Sequence, residues 1–251
     1  DLDMWFPSTH EMFRRYVAPG NLGDRIRFIT QTDTYHLPEG IQILHGHQLE
    51  RIHRVDYTRM TRKRRDGVEV LNLPWGSSWI LEVLNPAKEK RAHVDRVQPL
   101  KRFLFGALLF DPRFAISFYY HTSIYFLRTR IFTIAAWRER IRNLPQILRE
   151  ELFALGGYDD AATRLLRKMR GVHTLIVGHS HEPKYRQISG HKILVNTGTW
   201  IRMINLNVQY LGQDSGMTYA LIESDDGGRP TTSLMRWFGK QPECETVPYV
   251  E

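Results

Sequence analysis

Two short segments of the chain place histidines at spacings that suit metal-dependent chemistry. His45 and His47 flank a glycine, and His179 and His181 stand two residues apart directly after another glycine. Imidazole nitrogens are common ligands of zinc, manganese and iron, and water bound to such ions is a nucleophile at neutral pH. A single histidine after a strand is more often a surface residue that makes hydrogen bonds, so neither pair is strong evidence by itself. The presence of both pairs favours a metal centre.

Apolar segments directly before the histidines predict the strands that position them. Residues 41–44 and 172–177 have the composition of buried strands, and each run leads straight into one of the histidine pairs. A third run, 192–195, leads into an Asn-Thr-Gly-Thr segment. Ligands bind at the carboxyl ends of strands in α/β sheets, so we expect these segments to meet at one sheet edge. Because side chains alternate on an extended chain, His179 and His181 could serve two different ions.

The remaining pattern predicts a mixed α/β chain. Helices are expected around 11–17 and between Asp159 and Gly171, where apolar residues recur at helical spacing. Further strands are expected where apolar and β-branched residues lie between turn signals, at 25–30, 219–223 and 231–237.

Three of these segments, in the same order along the chain, resemble the later motifs of the calcineurin-like metallophosphoesterases. That family carries H-G-(H/D) after a strand, then G-H-x-H, then a strand that leads into N-x-G-(S/T). This chain has His-Gly-His at 45–47, Gly-His-Ser-His at 178–181 and Asn-Thr-Gly-Thr at 196–199. The resemblance covers about residues 1–50 and 160–225.

The resemblance implies a fold, a reaction and a cofactor. The family fold is a β-sandwich flanked by helices, and its members hydrolyse phosphoester bonds at a centre of two divalent metal ions, such as manganese, iron or zinc. Carried over to this chain, His45 and His179 would bind one ion and His181 would bind the other. His47 would either lie near the substrate, as a substrate-binding residue, or simply pack. The Asn-Thr-Gly-Thr segment would support the loop beneath the ligands.

Other motifs of the family are missing from these 251 residues. Members begin with D-x-H, G-D-x-x-D and G-N-H-D, which supply further ligands and a catalytic histidine, and neither D-x-H nor G-D-x-x-D occurs in the chain. Asp1 matches the last residue of G-N-H-D and would be an orienting remnant of that motif. Gly20–Asn21 is a rival match, but Leu22 follows it where the motif has histidine. We therefore expect an upstream segment or a second chain to complete the metal site.

Residues 51–154 do not match the family core, which we assign to 1–50 and 155–251. The segment is aromatic and Arg-rich, and we expect a helical insertion. Its longest run without charge, 114–127, has 14 residues, fewer than the ~18–20 that span a bilayer. In position it resembles the cap of the UDP-2,3-diacylglucosamine pyrophosphohydrolases, which cleave a lipid-bearing nucleotide. This implies a phosphorylated small molecule or nucleotide-lipid as substrate and contact with an anionic membrane surface. Ordinary core packing or a dimer contact is the alternative.

Charge and composition leave other functions open. A hydrophobic content of 42% with 25% charged residues excludes a wholly disordered chain. The formal net charge of +8, mostly from arginine, fits anionic partners. The basic run 62–65 makes a metal-dependent nuclease or phosphodiesterase acting on nucleic acid an alternative function, and a catalytically inactive scaffold is another. The single cysteine, Cys244, excludes a disulfide scaffold and favours a reducing compartment, so we expect a cytoplasmic protein, peripheral at the membrane.

Overall fold

The computed structural model describes residues 3–18, 20–30, 32–131, 158–188, 191–206, 217–225, 227–239 and 245–246. The α-helices of this part of the chain are α1 (Pro7–Val17), α2 (Trp75–Trp79), α3 (Asn85–Lys90), α4 (Leu100–Phe110), α5 (Pro112–Phe126) and α6 (Tyr158–Lys168). Two π-helical segments, Ile80–Leu84 and Leu127–Ile131, follow α2 and α5. Short 3-10 helices span Asp3–Trp5, Gly20–Arg25, His47–Leu49 and Tyr57–Arg59.

The strands within the described residues form four sheets. They are β1 (Tyr35–Leu37), β2 (Ile41–Ile43), β3 (Thr61–Lys63), β4 (Glu69–Leu71), β5 (Val97–Gln98), β6 (Thr174–Val177), β7 (Pro183–Ile188), β8 (Lys192–Thr197), β9 (Ile204–Asn205), β10 (Thr218–Ser224), β11 (Pro230–Arg236) and β12 (Glu245–Thr246). A five-stranded sheet has the order β1-β2-β6-β8-β7, and a three-stranded sheet has the order β10-β11-β12. Two-stranded ladders join β3 to β4 and β5 to β9. The protein is therefore mixed α/β, as predicted.

The centre of the five-stranded sheet is parallel. β2 pairs with β6 and β6 pairs with β8, which sets Ile43 opposite Ile176 and Val177 opposite Asn196. The outer strands β1 and β7 run antiparallel to their neighbours. Since the three parallel strands end at the same edge, the polar segments that follow them are brought together.

Alternate side chains of the central strands face two different hydrophobic clusters. Leu175 and Val177 of β6 pack with Leu166 of α6 on one face of the sheet. Ile176, between them, packs on the other face with Leu234 of β11. This alternation is what an extended strand imposes on neighbouring side chains. The helix α6, the five-stranded sheet and the three-stranded sheet therefore lie in successive layers.

The helices of the predicted insertion pack around a cluster of their own. Its buried members include Val83, Leu104, Phe114 and Phe118, and it shares no described residue with the two clusters of the sheets. Residues 132–154 of the predicted insertion lie outside the described residues. In the part that the structure describes, no helix combines the length and the apolar character that crossing a membrane requires.

One predicted strand is wrong, because residues 25–30 form none. Phe28 stacks on His10 of α1, with ring centroids 4.2 Å apart, and meets Phe13 edge-on at 5.6 Å. The aromatic side chain of this segment therefore packs on a helix instead of joining the sheet. The strand that pairs with β2 is β1, which begins at Tyr35.

A lysine of β8 holds the C-terminal end of α6. The Nζ group of Lys192 donates to the carbonyl oxygens of Leu166 and Met169, both at 2.6 Å. Carbonyl groups at the end of a helix lack partners within the helix, and a cation is favoured there. This contact fixes α6 at the sheet edge opposite the histidine motifs.

Replacing Lys192 with methionine should lower the free energy of unfolding by about 1–3 kcal/mol, because two partly buried carbonyl groups lose their charged donor. Urea denaturation followed by circular dichroism measures this change. Lys168→Met, at an exposed position of the same helix end, is the matched control and should change stability by less than about 0.5 kcal/mol. Equal stability of the two variants would contradict the role assigned to Lys192.

Candidate metal centre

The two histidine motifs meet at the carboxyl edge of the parallel strands. The backbone amide of Leu44 donates to the carbonyl of Ile176 at 3.0 Å, and the amide of Gly178 donates to the carbonyl of His45 at 2.9 Å. These bonds continue the pairing of β2 and β6 into the loops. They bring the rings of His45 and His179 to 5.3 Å between centroids. Two predicted ligands that are far apart in sequence are therefore neighbours.

His179 lies at the centre of a cluster of polar side chains. Its ring centroid is 5.0 Å from that of His53 and 5.9 Å from that of Tyr158. Its Nε2–H group donates to Oε2 of Glu50 at 3.1 Å. The Nε2 atom of His53 lies 3.8 Å from the same carboxylate oxygen. One carboxylate and two imidazoles thus share a partly buried space.

Glu50, His53 and His179 form a group, among the described residues, in which one potential ligand atom from each side chain lies within 4.8 Å of the other two. Neither His45 nor His181 belongs to this group, although His45 contacts it through His179. Partial burial lowers the pKa of His181, and the charges of His179 and His45 lower it further. The role of His181 as a ligand stays a prediction.

Burial and neighbouring charges set the protonation of the cluster. Burial alone would raise the pKa of Glu50, but the hydrogen bond from His179 and the charges of His179 and His53 outweigh it, so the pKa is lowered. The pKa of His53 is lowered by burial and by the charge of His179, against the opposite effect of Glu50. An ionised carboxylate beside a neutral imidazole is the state in which both groups are metal ligands.

The Gly-His-Ser-His loop has a strained backbone. His179 and His181 have φ angles of 67° and 60°, in the left-handed region that side-chain-bearing residues rarely adopt. Such a residue costs roughly 1–2 kcal/mol, and strain of this kind is concentrated at functional sites. Ser180, between the histidines, is held by Asn196 and Gln98, whose amides donate to its hydroxyl at 2.7 Å and to its carbonyl at 3.0 Å.

The Asn-Thr-Gly-Thr segment lies next to this loop. Asn196 is buried, and its side-chain oxygen accepts from the amide of Gly198 at 3.0 Å while its amide group holds the histidine loop. Thr199 accepts from the amide of Ile201 at 3.2 Å and so shapes the next turn. Asn196 therefore connects its own turn to the loop that carries His179 and His181.

His47 is buried beside His45. Its side chain has no exposed surface, and its ring centroid is 5.5 Å from that of His45 and 5.9 Å from that of Tyr57. Burial lowers its pKa to about 4, with a further contribution from the charges of His45 and His179. The structure thus places His47 among packed side chains, and its contact with a substrate stays a prediction. Asp1, the last predicted site residue, lies outside the described residues.

Gly46 makes room for the hydroxyl of Tyr158. Gly46 has a φ angle of 113°, and a Cβ atom at this position would lie 1.7 Å from Oη of Tyr158. The hydroxyl is buried and has no hydrogen-bond partner among the described residues. Burial raises the pKa of Tyr158, and the negative charges of Glu50 and Asp159 raise it further. A protonated phenol therefore lies against the ring of His179.

Three residues of this cluster were not predicted from the sequence: Glu50, His53 and Tyr158. The Glu-x-x-His spacing at 50–53 is a signal that could have found the first two, since residues three apart lie on one side of a helical turn. No motif marks Tyr158, which reaches the cluster from the first turn of α6.

Comparisons with protein-family models, with curated proteins and with solved structures find no match for this chain. Its function is therefore argued from its own residues and their geometry.

Replacing Gly46 with alanine should lower the free energy of unfolding by at least about 2 kcal/mol, since the new Cβ collides with Tyr158 and the backbone is left-handed. Tyr158→Phe alone should change the free energy of unfolding by less than about 1 kcal/mol, because the hydroxyl has no hydrogen-bond partner among the described residues. In the double variant, loss of the hydroxyl should restore part of the stability lost. Urea denaturation of all four proteins measures this cycle, and strictly additive effects would contradict the contact.

His47 should make the metal-free protein less stable in acid. With a pKa of about 4 when folded and about 6.5 when unfolded, the unfolded chain binds more protons between these values. Stability is therefore lost as the pH falls through this range, by about 2 kcal/mol from this residue between pH 7 and pH 5. Urea titrations in EDTA should show a smaller drop for His47→Gln than for the unchanged protein. An equal loss of stability in the variant and in the unchanged protein would show that His47 is not buried in its neutral form.

Proposed function

We propose that this protein is a metal-dependent hydrolase of phosphoester or phosphoanhydride bonds, of the calcineurin-like metallophosphoesterase type. The observation that carries the proposal is the meeting of His45 and His179 at one sheet edge, with ring centroids 5.3 Å apart. The order of the three motifs along the chain supports it. So does the buried Asn196, which holds the loop that presents His179 and His181.

The proposal extends to the fold. The two sheets face each other across side chains such as Ile176 and Leu234, which supports a metallophosphoesterase β-sandwich with α6 on its outside. Its core would consist of residues 1–50 and 155–251. The separate hydrophobic cluster of α2–α5 supports 51–154 as the insertion.

The side chains present fit divalent ions of the manganese, iron and zinc class. Under this proposal His45 and His179 hold one ion and His181 holds the second. Neutral imidazoles near an ionised carboxylate are ligands that such ions prefer. When bound, such ions lower the pKa of water and polarise a phosphoryl group.

The other residues of the cluster keep these ligands in place. The hydrogen bond from His179 to Glu50 fixes the orientation of the imidazole ring. Tyr158 covers the ring of His179 from the side of α6, and Gly46 allows its close approach. Hydrolysis then requires a water oxygen to bond to phosphorus while the bond to the leaving oxygen breaks and that oxygen takes up a proton.

The surface of the insertion supports a substrate with an anionic part and an apolar part. Phe105 and Phe110 on α4 and Tyr120 on α5 are 67%, 89% and 61% exposed. Lys101 and Arg113 are exposed on the same two helices. Exposed aromatic and cationic side chains on these two helices suit a nucleotide-lipid or another phosphorylated small molecule. They also suit an anionic membrane surface.

A nuclease is the second candidate, supported by the hairpin of β3 and β4. Arg62, Lys63 and Arg65 are exposed along it, while Arg64 is paired with Asp66. Such a basic strip would bind a phosphate backbone with steep salt dependence. Salt-sensitive cleavage of single-stranded DNA or RNA without hydrolysis of small phosphoesters would favour this function.

His45→Ala and His179→Ala test the hydrolase. Hydrolysis of p-nitrophenyl phosphate and of bis(p-nitrophenyl) phosphate in manganese, iron or zinc should fall by at least about 100-fold in each variant, because a ligand is lost. Metal content measured by plasma mass spectrometry should fall with it, while circular dichroism stays unchanged.

His36→Ala is the matched control, since this histidine is exposed on β1 and belongs to neither motif. Unchanged hydrolysis in both site variants would contradict the assignment. A folded protein that binds no ion and hydrolyses neither ester would instead be the inactive scaffold.

A further inference from the structure

Glu50, His53 and His179 bring three potential ligand atoms close together, although Glu50 and His53 belong to none of the motifs described above. Oε2 of Glu50 lies 3.1 Å from Nε2 of His179 and 3.8 Å from Nε2 of His53. One potential ligand atom from each of the three residues lies within 4.8 Å of those of the other two. Bonds of ~2.0–2.2 Å in a tetrahedral site place ligand atoms about 3.3–3.6 Å apart. The group is therefore close to the geometry of ligation.

The backbone holds Glu50 and His53 in this arrangement. The amide of His53 donates to the carbonyl of Glu50 at 3.1 Å, which closes the turn that brings both side chains to the same side. The amide of Gly76, in the first turn of α2, donates to the carbonyl of Ile52 at 2.7 Å. A Cβ atom on Gly76 would lie 2.4 Å from Cε1 of His53, so the imidazole rests directly on this glycine.

The accessibility of the group suits an exchangeable ion. The side chains of Glu50, His53 and His179 are 22%, 23% and 14% exposed. They are shielded from most of the solvent but not fully buried, so an ion in solution can reach them. Two imidazoles and one carboxylate select transition metals over magnesium and calcium, which prefer oxygen ligands.

We propose that Glu50, His53 and His179 bind one divalent transition-metal ion. Zinc and cobalt are the ions that probe this site. This site does not rest on the proposed hydrolase function, because the same three ligands would also hold a structural ion. The ion would join the segment after β2, the loop after β6 and, through Gly76, the first helix of the insertion.

Titration of the metal-stripped protein tests the site. Isothermal titration with zinc and the visible absorption of bound cobalt should both report binding. Glu50→Gln and His53→Gln should each weaken the affinity at least about tenfold. Zinc should raise the melting temperature of the unchanged protein and should raise it less in both variants. Circular dichroism confirms that the variants are folded. If Glu50→Gln does not fold, Glu50→Asp serves as the second variant at this position.

A further variant is the control for this site. His36→Gln, at an exposed position, should keep the affinity within about threefold of the unchanged protein. Zinc affinity that is unchanged in both Glu50→Gln and His53→Gln overturns the proposal. So does a folded protein that binds neither zinc nor cobalt, since the three side chains would then form a hydrogen-bonded cluster without an ion.

The outcomes for the two proposals are distinguishable. Loss of zinc affinity in Glu50→Gln and His53→Gln, in a protein that hydrolyses no phosphoester, supports this site and removes the hydrolase. Phosphoester hydrolysis that depends on His45 and His179, with zinc affinity unaffected by the changes at Glu50 and His53, supports the hydrolase and removes this site.

Discussion

The parallel pairing of β2 with β6 is the constraint on which the candidate site depends. Both strands are short, and the pairing is stabilised by burial of Ile41, Leu175 and Ile176 on the two faces of the sheet. The backbone bond from Gly178 to the carbonyl of His45 carries this pairing past the strand ends. A slip of one residue would turn alternate side chains to the opposite face. The imidazoles that follow would then no longer face each other.

The loop after β6 retains its backbone strain because other contacts stabilise it. Two left-handed histidines cost roughly 1–2 kcal/mol each, and glycine at either position would remove that cost. The hydrogen bonds from Asn196 and Gln98 to Ser180 offset part of it. Histidines at strained positions, together with a buried asparagine that holds the loop, favour a function for the side chains themselves.

Composition and periodicity were sufficient to predict the strands of the site and the helix α6, because burial on each face determines these patterns. They also predicted that His45 and His179 would meet, since strands that end in polar motifs converge at one edge. Strand patterns do not predict the position of Glu50 and His53, and their spacing alone would have placed them only on one side of a turn. Their position depends on a 3-10 turn at His47–Leu49 and on contact with Gly76, which lies outside the motif. The packing of residues 25–30 on α1 is likewise a tertiary effect that overrides an alternating pattern.

The insertion contacts the candidate site at more than one point. A substrate that binds to the insertion could therefore act on the site through these contacts. His53 rests on Gly76 of α2, and Gln98 of β5 donates to the carbonyl of Ser180 in the histidine loop. β5 also pairs in parallel with β9, shortly after the Asn-Thr-Gly-Thr segment. The hydrophobic cluster of the insertion packs α2 with α4 and α5, and β5 leads directly into α4. A ligand that shifts α4 or α5 must therefore shift α2 with them or break that packing, and a shift of α4 pulls on β5. Displacement of α2 and β5 acts directly on His53 and on the backbone between His179 and His181.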